Sequence, residues 1–199
     1  MILSNSPKIK SRFFSRRAVT LVELTIVLVI LGILGAISYP SMTNFYYTRQ
    51  ATSACLEIMS CLNTARSMSI AGVEGKRYGV IFFREQQNQE YLRTRLSIYS
   101  MAPGNAALNE DDFKQAFDGA TNAKLVAYGE KVALPQSVDL KIESGDNCFG
   151  VFFMDDGIPT HNGIEIPIVK GDRINVSSNN VAFAQTLKIS KSTGHVSVE

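Results

Sequence analysis

The sequence predicts an α+β protein, in which one long N-terminal helix precedes an antiparallel, β-rich domain. Three observations carry this. Leu24 to Tyr39 is a charge-free, mostly apolar run closed by Pro40. Apolar residues beyond it keep helical spacing to about Ala71, and from Gly72 onward short alternating segments are divided by Gly, Asn and Asp. With 199 residues, 45% hydrophobic and 19% charged, the chain can bury a core, which argues against both disorder and a multi-span membrane protein.

The first element is a basic leader over residues 1–18. Lys8, Lys10, Arg12, Arg16 and Arg17 fall within it and no acid does. The net charge of +2 therefore hides a body of 15 basic and 18 acidic side chains, net −3. Its mild acidity gives no argument for nucleic acid. Three cysteines are too few for a disulfide scaffold and lack zinc-site spacing.

The second element is a span over residues 19–39. As a helix, Val19 to Tyr39 covers roughly 31 Å, about one bilayer core. The basic leader keeps the N-terminus cytoplasmic, so the remainder lies outside a bacterial inner membrane, in the periplasm. Competing readings are a signal anchor, a secretory signal cut before Tyr39 after the small residues Ala36 and Ser38, and a twin-arginine signal at Arg16-Arg17. None of them explains Glu23. A carboxylate at the bilayer centre costs up to about 3 kcal/mol, less near an edge as here. If the chain were cut between Ala18 and Val19, the new α-amino group would sit one helical turn from Glu23. It could pair with that acid or with the Glu23 of a neighbouring copy.

Arg16-Arg17-Ala18, Val19 and Thr20-Leu21-Val22-Glu23, followed by an uninterrupted apolar helix, resemble the type IV pilin superfamily, which includes the pseudopilins of type II secretion. Gly32 and Pro40 fall where such helices commonly carry Gly and Pro, and the resemblance implies that this stretch can unwind when the subunit enters a fibre. The resemblance implies cleavage by a prepilin peptidase between Ala18 and Val19 and N-methylation of Val19. It further implies assembly through Thr20, Leu21 and Glu23 with other subunits on an inner-membrane platform. Ala18 stands where the family usually has Gly and Val19 where it has Phe, which implies slower processing.

The third element, residues 40–71, continues the helix. Pro40 should kink it, with Gly32 and Gly35 loosening the turns before. Cys55, Ile58, Met59, Leu62 and Ala65 form one stripe, expected to pack on a sheet. The β-rich domain, residues 72–199, holds candidate strands at Arg77–Arg84, Leu92–Met101, Lys124–Tyr128, Val138–Ile142, Cys148–Met154, Ile164–Val169, Arg173–Ser177, Thr186–Ser190 and His195–Val198. Alternation of Thr94, Leu96 and Ile98 with Arg93, Arg95 and Ser97 predicts one wet face. Asn109, then Glu110 to Asp112, Phe113, Phe117 and Gly119, reads as a short capped helix. Phe152-Phe153-Met154-Asp155-Asp156-Gly157 and Thr193-Gly194-His195-Val196 are similar to motifs of the minor pseudopilin H and fimbrial T-type minor pilin branch.

No catalytic site, metal or cofactor is expected. The acids at 110–112 and 155–156 suit a helix's first turn and a tight turn better than calcium, which needs six to eight converging oxygens. His161 and His195 stand beside no nucleophile motif. Cys55 and Cys61, about 9 Å apart in rise, cannot bond to each other. Three free or buried thiols are the reading preferred, and the alternative is a bond from either to Cys148 in an oxidising periplasm. The reading is a minor pilin or pseudopilin subunit, bitopic in the bilayer and then drawn into a fibre near its tip. Two alternatives stay open: a DNA-binding minor pilin using Lys188 and Lys191, with DNA the less expected partner, and a plain secreted or anchored binding protein.

Overall fold

A computed structural model describes residues 20–87, 90–102, 108–119, 124–142, 148–162 and 173–199. The expected strand at Ile164–Val169, and Ala18 and Val19, lie outside the described residues. Helix α1 (Leu21–Ile70) runs without interruption through Pro40. It ends at Gly72, whose φ of 61° a residue with a Cβ rarely adopts. Contacts divide the chain into one unit ending at Met42 and a second, Thr43–Glu199.

In the second unit, Ala51, Ala54, Cys55, Ile58, Leu62, Ala65 and Ser69 form the buried stripe of α1. The expected stripe is present, with Met59 at its margin. Two antiparallel sheets meet that stripe. One has the order β3-β2-β1-β6-β7, from β1 (Arg77–Gln87), β2 (Glu90–Met101), β3 (Leu125–Ala127), β6 (Cys148–Phe153) and β7 (Pro159–His161); β4 (Val132–Ala133) also pairs with β2. The other has the order β10-β9-β8-β5, from β5 (Val138–Ile142), β8 (Arg173–Ser178), β9 (Ala184–Ile189) and β10 (Val196–Val198).

Strand alternation splits the apolar residues into two cores. Tyr78, Val80 and Phe82 of β1 and Phe149, Val151 and Phe153 of β6 face α1, together with Leu140, Val176, Leu187 and Val196 of the second sheet. Ile81, Tyr99, Met101, Cys148 and Phe152 face the other way, where Phe113, Ala116 and Phe117 of α2 (Glu110–Asp118) cover them. The expected wet face of β2 is present in part. Arg93 and Arg95 stay partly exposed and pair with Glu85, whereas Ser97, whose hydroxyl donates to the Gly129 and Glu130 carbonyls, and Tyr99, which packs in the core under α2, are buried. Helix α2 is capped as its sequence predicts, by a reciprocal Asn109–Asp112 box and by Gly119 at φ 80°.

Candidate functional site

The site begins at the first turn of α1. The Thr20 Oγ1 accepts the Glu23 N–H at 3.2 Å, and the Thr20 carbonyl accepts the Leu24 N–H at 3.1 Å. Thr20 is therefore the N-cap, and Glu23 occupies the third helical position. Thr-x-x-Glu is a capping-box sequence, a signal that reading Glu23 only as a buried charge misses. The positive end of the helix dipole favours an acid there. Thr20 thus fixes the start of the helix, and Glu23 is presented one turn from the end that bears Val19.

From Leu21 to Ile37 every large apolar side chain is exposed, at 47 to 78%. The helix is long and apolar enough to cross a membrane. Covering each such side chain is worth roughly 2 kcal/mol, so together they exceed the whole stability of a typical domain, about 5–15 kcal/mol. Lipid or other protein has to cover this surface. Gly32 and Gly35 also lie in it, and a Cβ added at either would meet nothing within 4 Å. Each costs about 1 kcal/mol against Ala in an exposed helix interior, and no contact within the subunit requires it.

At the other end of α1 the two motifs from the β-rich domain come together. The turn Asp155-Asp156-Gly157 joins β6 to β7, with the Asp156 Oδ1 accepting the Ile158 N–H at 3.0 Å. A Cβ on Gly157 would lie 2.8 Å from Ile70 Cδ1, and one on Gly194 would overlap the Gly157 carbonyl oxygen. Arg66 Nε donates to the Thr193 carbonyl at 2.6 Å. One turn of the helix, one turn from each sheet and two left-handed glycines thereby form a single close-packed junction. Nothing in the spacing of Arg66, Gly157 and Gly194 along the chain reveals it.

The remaining candidates occupy structural positions. Asp112 caps α2 and pairs with Lys124 at 3.0 Å. Among the described residues no group of three or more His, Cys, Asp or Glu side chains could hold a metal. His161 ends β7 of one sheet, and His195 precedes β10 of the other, exposed. Lys188 pairs with Glu199 at 2.6 Å, and Arg173 reaches the same carboxylate at 3.4 Å, which offsets positive charge on that face.

The bond that the sequence leaves open between Cys148 and Cys55 or Cys61 is not formed in this structure. All three are free thiols, and Cys148 lies in the core under α2 while Cys55 and Cys61 pack on the opposite side of the sheet. Burial pushes both helix thiols up to about 11, with the Glu57 charge adding to the effect at Cys61.

No curated protein and no solved structure matches the chain. A family model described as the prokaryotic N-terminal methylation motif matches residues 14–39. That stretch contains the capped turn, Glu23 and the exposed apolar run. The chain thus carries the N-terminal methylation signature of prokaryotic pilins and pseudopilins at the head of a long apolar helix, joined to an antiparallel β-rich domain.

Proposed function

We propose that this chain is a minor subunit of a type IV pilus or type II secretion pseudopilus, held in the inner membrane with its β-rich domain in the periplasm until it enters the fibre. Prepilin peptidase cuts between Ala18 and Val19, removing the basic leader, and Val19 is N-methylated. The observation that carries the reading is Glu23, fixed in the first turn by the Thr20 cap at the head of an apolar surface that the subunit itself leaves bare. In the fibre, neighbouring helices cover that surface. The Glu23 carboxylate meets the Val19 amine of an adjoining subunit, so two charges enter an apolar core as a pair. Gly32, Gly35 and Pro40 give the helix the freedom to adjust or unwind as it enters, which fits glycines that serve no contact within the subunit. The assembly platform and other pilin-type subunits are its partners, and the β-rich domain contributes no catalysis.

Glu23→Ala tests this reading. The variant should keep its folded domain, as judged by circular dichroism and protease resistance. It should lose incorporation into sheared fibres, or cross-linking to other subunits, by at least about tenfold, the effect of 1.4 kcal/mol. Normal incorporation of the variant contradicts the pairing.

A further inference from the structure

Resting on the membrane-anchored reading, we propose that the stretch of α1 around Phe45, Tyr46 and Arg49 is a lipid-headgroup binding surface that sets the depth of the subunit in the bilayer. None of residues 21–50 of α1 is buried; the stripe that meets the sheets starts only at Ala51. Phe45 and Tyr46 are 61% and 58% exposed. Tyr47 packs edge-on against Tyr46, ring centroids 5.7 Å apart, so the rings form a patch rather than isolated side chains. Such patches on a protein surface mark interaction sites.

Three features fit the membrane interface better than water or an apolar protein groove. Phe45 and Tyr46 follow Tyr39, the end of the span of bilayer length, by fewer than two helical turns, and side chains on a helix lean back toward its N-terminus. The patch therefore follows directly on the apolar span along the chain. Tyrosine has an apolar body and a polar tip, the chemistry enriched at headgroup depth. Arg49, the only charged residue between Glu23 and Glu57, holds its guanidinium 5.1 Å over the Phe45 ring, where its long stem lies on apolar surface and its charge complements a lipid phosphate. Thr48 and Thr52 do not interrupt this face with free donors, because their hydroxyls donate to the Asn44 and Thr48 carbonyls at 2.8 and 2.9 Å.

The chain has no tryptophan, so one introduced indole reports its own position without background. The full-length protein carrying Tyr46→Trp, Ile30→Trp or Leu56→Trp is reconstituted at high lipid excess into phosphatidylethanolamine–phosphatidylglycerol vesicles. Their acyl chains are brominated either near the headgroup or near the terminal methyl. The indole at 46 should be quenched at least twofold more by shallow than by deep bromine. The indole at 30 should show the reverse order, and that at 56, about 15 Å further along the helix, should be quenched by neither. Deep quenching at 30 with none at 46 overturns the lipid surface while leaving the anchor intact, and points to a neighbouring subunit as occupant. Loss of deep quenching at 30 overturns the anchor, and this proposal with it.

Discussion

At the scale of the residue, Glu23 and the three cysteines carry most of the chemistry. Glu23 was legible in the sequence because a single acid among apolar residues is conspicuous. Its geometry was legible too, through the spacing Thr20-x-x-Glu23, but only when that spacing is read as a cap. The cysteines were not. Helical angle places Cys55 in the buried stripe and Cys61 on its flank, yet whether Cys148 faces α1 or α2 depends on the register of β6 against β1, which pairs Phe83 with Cys148 and so fixes the faces of both strands. A thiol whose ionisation is pushed from 9.0 to about 11 holds roughly 100-fold less thiolate near neutral pH. Native protein without reductant should therefore resist iodoacetamide at Cys55 and Cys61, and all three cysteines should label once it is unfolded, as read by peptide mass spectrometry. A disulfide-linked peptide containing Cys148 with Cys55 or Cys61 contradicts the structure.

At the scale of the element, alternation and caps in the sequence locate α1, α2 and most strands to within a few residues, because those signals are local. The misses are β4, two residues long, and β7, which begins on Pro159. Proline argues against a strand in the middle of a sheet but is tolerated at an edge, and among the described residues β7 is an edge of its sheet. The junction of Arg66, Gly157 and Gly194 was invisible for a different reason, since it joins three elements far apart in sequence. Two glycine substitutions separate its role from that of the apolar half of α1. Gly194→Ala forces a Cβ into φ 68° and against the Gly157 carbonyl, and should destabilise the domain by about 2–4 kcal/mol in urea unfolding of the detergent-solubilised chain. Gly32→Ala meets nothing, and should leave that transition unchanged while making the N-terminal helix more stable by about 1 kcal/mol. If helix adjustment is needed for fibre entry, Gly32→Ala should also slow incorporation.

At the scale of the whole molecule, the chain combines a β-rich domain that buries its own two cores with a helical segment that buries nothing of itself. Surface of that kind is stable only against lipid or other subunits. In the proposed function one chain occupies both surroundings in turn, which would give a physical reason for a removable charged leader: five basic residues would hold the N-terminus on one side of the membrane until they are cut away. This division was the most legible feature in the sequence, since it needs only hydropathy and charge. The most direct test is mass spectrometry of the first peptide of the protein extracted from its native membrane. Pairing of Glu23 with a neighbour's amine requires that peptide to begin at Val19, carrying one added methyl on its α-amino group. A first peptide that still contains Arg16-Arg17, or one that starts near Tyr39, contradicts it.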